Sequence, residues 1–389
     1  GRKNPERLPD AATLEAQWKS TDWNKAEAEV NRLQARIAKA TQEKKWNTVK
    51  RLQYLLTHSY YAKLLAVRKV TANKGKKTPG VDKELWSTPA SKMRGVLSLT
   101  DKGYKAKPLR RVFIEKKSKK AKRPLGIPCM YDRGMQALYA LALDPVAETM
   151  ADTKSFGFRK GRCAQDACEY IFAAFSRKVS PEWVLEGDIK GCFDHISHDW
   201  LIENIPMDKS VLKQFLKAGF VFRDELFPTD EGTPQGGVIS PILANMALDG
   251  MQKVLSDRFH TNRLGKVDIR FKNAHKVNLV RYADDFIVTA ATKEIAEEAK
   301  EIIRDFLKTR GLELSEEKTL ITHIDDGFDM LGWTFRKFEG KLIVKPSKKA
   351  MKALKTALSE TILKRGKAWK QEVLIEKLNQ QIRGWTNYH

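Results

Sequence analysis

Negative charge is in short supply in this chain: 48 Asp and Glu stand against 72 Lys and Arg over 389 residues, a net charge of +24. Solubility needs far less, so a polyanion is the natural counterpart. Cysteine is also scarce. The four present, Cys129, Cys163, Cys168 and Cys192, show no CxxC spacing. Cys192 lies near His195 and His198, but no second cysteine pair completes a zinc site. A disulfide-built scaffold and a zinc finger are thereby excluded, and the four are expected to be reduced packing residues. No apolar run reaches membrane-spanning length and no secretory signal is visible. The expectation is a soluble intracellular protein with no membrane partner, cytoplasmic in a bacterium and associated with nucleic acid, with an organelle as the alternative compartment.

The positive charge that is present is concentrated. Residues 92–123 hold 13 Lys or Arg against Asp101 and Glu115, and residues 341–370 hold 10 against Glu360. Runs of this kind are ordinarily solvated faces or tails. Here Leu109, Val112, Phe113 and Ile114 are interleaved in the first block, and Met351, Leu354, Leu358 and Ile362 in the second. Both segments should therefore fold, as basic surfaces suited to a nucleic-acid channel.

Length allows two or three cores. Much of 13–72 reads as helix, with Val30, Leu33 and Ile37 in one stripe and Val49, Leu52, Leu56 and Tyr60 in another. Ser20, Thr21 or Asp22 offers an internal cap. TPGVD, residues 78–82, is a turn that closes this region. From about 104 to 335 strand-like and helical runs alternate, which implies an α+β or α/β body. After Pro346 come two helical patterns, the second with Val373, Leu374, Leu378, Ile382 and Trp385 near one face. That face has no obvious later partner, and the chain opens at Gly1, so a fragment of a longer protein is expected.

The chemistry is carried by a few acidic positions. LVRYADDFIV, residues 279–288, sets Asp284 and Asp285 between two strand-like runs. An Asp pair there is usually only a polar hairpin turn. In a buried hairpin, however, adjacent carboxylates repel unless a cation or basic group lies between them. WVLEGDIKGCFDHI, residues 183–196, reads as a strand running into Asp188 and then Phe193. Between the two lies GTPQGGVISPILANMALDGM, residues 232–251, a glycine-rich loop at a helix start. Such a loop lets backbone approach a ligand and suits phosphates. Nucleotidyl transfer unites these parts. Two divalent ions can activate a primer 3′-hydroxyl and stabilise the departing pyrophosphate, and magnesium needs only a few carboxylates beside substrate oxygens and water.

In order along the chain, YKAKPLRRVFIEKKSKKAKRPLGIP (104–128), SFGFRKGRCAQDA (155–167), the Asp188 segment, the PQGG loop, YADD, GLELSEEKT (311–319) and MLGWTF (330–335) resemble the seven sequence blocks of reverse transcriptases. With TPGVDKELW, RPLGIP and the terminal RGWTNYH, the chain is similar over about 13–389 to group II intron-encoded reverse transcriptase/maturases. That resemblance implies a right-hand polymerase fold with these parts: a helical N-terminal extension over 1–82, fingers with parts of the palm interleaved over 83–180, an antiparallel palm backed by helices over 181–340, and the start of a helical thumb or maturase domain over 341–389. It implies RNA-directed DNA synthesis by a two-metal mechanism, with two Mg2+ as cofactor and Mn2+ as an alternative.

Residue by residue, the resemblance makes Asp188, Asp284 and Asp285 the catalytic metal ligands, joined by the Ile189 carbonyl. Lys117, for which Lys116 is the alternative, and Arg123 would hold the incoming triphosphate. Phe193 would crowd a ribose 2′-hydroxyl, its simpler reading being a core aromatic. Gln235 and Gly236 would border the nucleotide, and Arg159 would touch template, unless it is only a surface arginine in a loop. The implied partners are intron RNA, an RNA template with DNA primer, target DNA and deoxynucleoside triphosphates. The implied roles are cDNA synthesis, assistance to splicing and intron retrohoming. Nothing in the sequence supplies an HNH-type endonuclease. A non-catalytic RNA-binding maturase, or a retron, diversity-generating or CRISPR-linked reverse transcriptase, is the competing expectation.

Overall fold

A computed structural model describes residues 9–115 and 122–389. Along the chain come helices α1 (Ala11–Lys19), α2 (Trp23–Gln42), α3 (Trp46–His58), α4 (Tyr60–Ala72) and α5 (Pro89–Ser98), strands β1 (Leu109–Glu115) and β2 (Lys122–Ile127), then α6 (Met130–Met150) and α7 (Ala164–Phe175). Next are β3 (Trp183–Asp188), α8 (Cys192–His195), α9 (His198–Asn204), α10 (Lys209–Leu216), β4 (Phe220–Phe222), β5 (Glu225–Phe227), α11 (Ser240–Leu248), α12 (Met251–Phe259) and α13 (Ile269–His275). The last elements are β6 (Asn278–Tyr282), β7 (Asp285–Ala290), α14 (Lys293–Lys308), β8 (Leu320–His323), β9 (Phe328–Met330), β10 (Trp333–Phe338), β11 (Lys341–Pro346), α15 (Lys348–Glu360) and α16 (Gln371–Tyr388). Two units share these elements: Gly1–Ala151, Gly191–Asp249 and Thr309–Leu312 form the first, and the intervening segments with the C-terminal region form the second.

In the first unit the N-terminal helices start where polar side chains can cap them. Asp10 accepts from the Thr13 amide at 2.8 Å, and Asp22 from the Lys25 amide at 3.0 Å. Thr88 and Ser91 cap α5 reciprocally behind Pro89. Val30, Ile37, Val49, Leu52 and Leu56 are buried as their spacing requires. Tyr60 leaves the stripe assigned to it. Ser59 turns extended at ψ 130°, a new helix begins, and Tyr60 is 45% exposed. A four-stranded sheet in the order β2-β1-β4-β5 completes this unit, with β1 and β4 parallel.

Asp132, on α6, is 3% exposed and accepts from the Tyr104 hydroxyl at 2.7 Å and the Lys107 amide at 3.2 Å. Burial raises it from 3.8 to about 6 despite those two hydrogen bonds. The folded state therefore holds its proton more tightly than the unfolded chain does. The stabilisation is complete below about pH 4 and is lost as pH rises through about 6, a change of up to about 3 kcal/mol. Urea unfolding of the wild type and Asp132→Asn across that range should give a stability difference that changes with pH in this sense, and a pH-independent difference would refute the assignment.

The second unit is built on an antiparallel sheet in the order β6-β7-β3-β8. Alternation divides its residues. Val184, Val280 and Ile287 join the core formed with Ala167, Ile171 and Phe175 of α7 and with Phe328 and Phe335 of the three-stranded sheet β11-β10-β9. The amphipathic α14 lies on the same sheet and buries Ala299, Ile303 and Leu307. The strands of the expected palm are thus antiparallel and backed by helices, within an α+β fold. In α15 and α16 no residue is buried, and Val373, Ile375 and Ile382 are each nearly half exposed. The end of α16 is held by the Tyr388 hydroxyl on the Leu331 carbonyl at 2.7 Å and by stacking of Tyr388 on Trp333.

Candidate active site

Asp188 is the last residue of β3 and pairs in register with Asp285, the first residue of β7. Its own backbone carbonyl accepts from Ser315 at 2.8 Å, and Lys190 donates to the Glu313 carbonyl at 2.9 Å. Even-numbered residues of β3 therefore spend their backbone groups on the 313–315 side, and Asp188 and Asp285 form a non-hydrogen-bonded pair, the closer of the two antiparallel types. Their side chains stand on one face roughly 5 Å apart at Cβ, an arrangement that is unfavourable for like charges without a cation. By the same alternation Ile189 turns its carbonyl toward the β7 side.

Asp284 occupies, with Ala283, the two-residue turn between β6 and β7. Ala283 takes φ +57°, a left-handed conformation that costs an alanine roughly 1 kcal/mol. Enclosure of its carboxyl, then repulsion from Asp284 and Asp188, raises Asp285 to about 6, while Lys318 and Lys349 act in the opposite direction. Asp285 nevertheless keeps more than a third of its surface in solvent, so salt screens part of that repulsion.

Lys318 completes the cluster. Its Nζ lies 2.7 Å from Asp188 Oδ2, and Asp188 holds the ammonium above the ordinary lysine range. A turn puts it there, with the Lys318 and Thr319 amides both donating to the Ser315 carbonyl. Within GLELSEEKT nothing in spacing distinguishes this lysine. The available signal was a cation just before β8, the strand that pairs with β3 beside Asp188.

The donors fit a hard divalent ion: carboxylate oxygens, one outward carbonyl and negative charge that Lys318 offsets only in part. Asp188 and Asp285 are brought together and Asp284 adjoins them. Among the described residues, no group of three or more His, Cys, Asp or Glu side chains is placed to hold a metal ion by itself.

Arg159 Nη1 donates to the carbonyls of Asp152 and Ser155, at 2.8 and 2.7 Å, and so ties its own loop together. Gly157 in that loop has a backbone role unrecognised in the sequence. A Cβ there would stand 2.4 Å from the Ala283 amide nitrogen of the acidic turn. Gly187 is similar, since a Cβ on it would meet the Phe286 ring at 2.1 Å.

Phe193, Gln235 and Gly236 belong to the first unit. Phe193 is half-buried on α8, and its carbonyl accepts from the Thr233 amide at 2.7 Å. Gln235 Nε2 donates to both Asp194 carboxylate oxygens at 3.1 Å, and its carbonyl accepts from Gly126 at 2.9 Å. Gly236 takes φ +109°, with the Gly126 carbonyl 2.9 Å from where a Cβ would be. Gly232 and Gly236 are thus required by close approach of protein backbone, while a Cβ on Gly237 would meet the Ser240 hydroxyl at 2.5 Å. Arg123 stands in β2 opposite Ile114. Lys117 and its alternative Lys116 lie outside the described residues.

Three families match the chain. Reverse transcriptase (RNA-dependent DNA polymerase) covers residues 114–335, the N-terminal domain of reverse transcriptase covers 18–99, and the group II intron maturase-specific domain covers 351–389. Group II intron-encoded protein LtrA of Lactococcus lactis subsp. cremoris is 32% identical over 359 residues, 77% of this chain and 59% of that protein. Protein YkfC of Escherichia coli (strain K12) is 31% identical over 301 residues, 69% of this chain and 78% of that one. A telomerase structure from Candida albicans covers 72% of this chain and 54% of its own, at 13% identity and TM-score 0.45, too loose a likeness to argue from. This chain spans little more than half of LtrA. It belongs to the reverse transcriptase (RNA-dependent DNA polymerase) family, and within that family to the group II intron-encoded reverse transcriptase/maturases.

Proposed function

We propose that the chain is an RNA-directed DNA polymerase of a group II intron, which extends a DNA primer on an RNA template and also binds its intron RNA in splicing and retrohoming. The observation that carries the reading is the face-to-face pairing of Asp188 with Asp285, beside Asp284 in a two-residue turn. Asp188, Asp284, Asp285 and the Ile189 carbonyl would hold two Mg2+, or Mn2+ in their place. When bound, the ions activate the primer 3′-hydroxyl and stabilise the leaving pyrophosphate. The antiparallel pair fixes the spacing of two of the carboxylates without help from a loop. Lys318 lies 2.7 Å from Asp188 Oδ2, close enough to neutralise negative charge on that side.

In this reading Lys117 and Arg123 hold the triphosphate, Gln235 and Gly236 border the nucleotide, and Arg159 supports the loop that meets the template. Residues 1–82 are the N-terminal extension, 83–180 the fingers, 181–340 the palm and 341–389 the thumb. The maturase-domain match at 351–389 and the basic block at 341–370 support intron RNA as a partner, as does the similarity to LtrA, a group II intron-encoded protein. No described helix is long and apolar enough to cross a membrane.

The direct test is primer extension by the wild-type chain on an RNA template with deoxynucleotides, with and without Mg2+. Product only with the metal is expected. Absence of product under every divalent ion, with intron RNA still bound, would leave only a scaffold function. Phe193→Ala is expected to raise ribonucleotide use relative to deoxynucleotide use by about 10²-fold, the scale of losing a steric exclusion. Unchanged selectivity would return Phe193 to the core.

A further inference from the structure

The second unit holds a cavity of about 330 Å³ that the polymerase reading does not use. It opens along the outer edge of β6, where residues 154–156 run beside the strand: Arg281 donates to the Lys154 carbonyl at 2.9 Å, and Phe156 to the Arg281 carbonyl at 2.8 Å. Asn278 and Leu279 line it, at the opposite end of β6 from the Asp284 turn. Five residues of strand separate the two, roughly 16 Å.

Its chemistry is one-sided. Lys154, Lys272 and His260 line it with Ser256, Asn278 and Tyr170, and no carboxylate is among the described lining residues. Lys154 Nζ is set 3.9 Å over the Tyr170 ring, which fixes its direction. Burial, then repulsion from Arg162 and Lys272, lowers the Lys154 ammonium below the ordinary lysine range. Cations crowded together in this way would be relieved by an anion with several oxygens.

The surroundings favour a strand over a free ion. Residues 261–276 carry Arg263, Lys266, Arg270, Lys272 and Lys276 against Asp268 alone. Leu264 and Val267 there are 82% and 71% exposed, offering apolar contact beside the charges. We propose that this cavity binds a phosphodiester of an RNA strand through Lys154 and Lys272, with the neighbouring backbone running over residues 261–276, as an RNA contact separate from the polymerase carboxylates. The proposal rests on the RNA-binding reading above and adds a location to it.

The test uses the full chain and intron RNA, comparing the wild type with the Lys154→Gln, Lys272→Gln double variant, whose folding is checked by its thermal midpoint. The variant is expected to lose about tenfold in RNA affinity and to flatten the log–log salt dependence by about 1 to 2. In the wild type, RNA is expected to protect both lysines from acylation, and inorganic phosphate at matched ionic strength is not. Wild-type affinity and salt slope in the folded double variant would overturn the proposal, and so would protection by phosphate equal to that by RNA, which marks a small-anion site. Loss of salt-dependent RNA binding by the wild type itself would instead defeat the underlying RNA-binding reading.

Discussion

Asp188→Asn is expected to reduce RNA-templated primer extension by about 10³-fold or more, the scale on which removing one positioned electrostatic group acts and the least to be expected for a metal ligand. The substitution keeps the shape of the side chain and its place opposite Asp285. What it removes is half of the negative charge that the paired strands put on one face. Asp284→Asn and Asp285→Asn should fall in the same range, and the double variants should lose little more, because groups that act as a unit are not additive. The decisive control is stability. A structural carboxylate would lower the thermal midpoint when replaced. Here Asp285→Asn relieves repulsion from Asp284 and Asp188, so the metal-free variant should unfold no earlier than the wild type. Asp188→Asn loses a pair with Lys318 whose lysine is 58% exposed and whose carboxylate is 22% exposed, so solvent screens part of it. Extension by Asp188→Asn within tenfold of the wild type would remove Asp188 from the metal site. Loss of extension with an equal loss of fold would leave its role structural.

The elements legible in the sequence were those governed by local rules. The buried stripes of α2 and α3 follow from spacing, the cap at Asp22 from residue type, and strands β3 and β7 from apolar runs that end in or follow an acid. The order of the acidic segments pointed to the site before any geometry did. What was not legible depends on which distant backbone lies alongside. Tyr60 continues the α3 stripe in sequence, yet Ser59 breaks the helix beneath it. Gly232 lies against the 193–194 segment and Gly236 against Gly126, approaches of distant backbone that the wording GTPQGG does not record. The Arg159 guanidinium also holds the carbonyls of its own loop, which the sequence does not record. Lys318 is 130 residues from Asp188 and reaches it only because 313–315 pairs beside β3. Neither periodicity nor composition records such pairings.

The same kind of hidden contact makes Gly157→Ala the most informative substitution outside the carboxylates. Residues 154–156 are fixed along β6 by hydrogen bonds with Arg281, so the chain delivers Gly157 against the turn at a set distance. A methyl group there would lie 2.4 Å from the Ala283 nitrogen, 3.0 Å from the Tyr282 carbonyl carbon and 3.1 Å from the Ala283 Cβ. Two of those three atoms are backbone, so no rotamer change makes room and the turn itself must move. Ala283 is already left-handed, which leaves the turn few conformations to retreat into. Asp284 shifts with it, and a displacement of about 1 Å at a reacting centre costs about 10²-fold in rate. The expected result is therefore a loss of about that size in extension rate, with intron RNA still bound and the protein folded at the assay temperature. Gly161→Ala is the control from the same loop. It is strained by φ +67° but has no atom within 4 Å of the new methyl, so it tests backbone strain without pressure on the turn. Equal losses in the two variants would trace the effect to the loop as a whole. A Gly157→Ala chain as fast as the wild type would show that the turn can move without taking the metal ligands out of place.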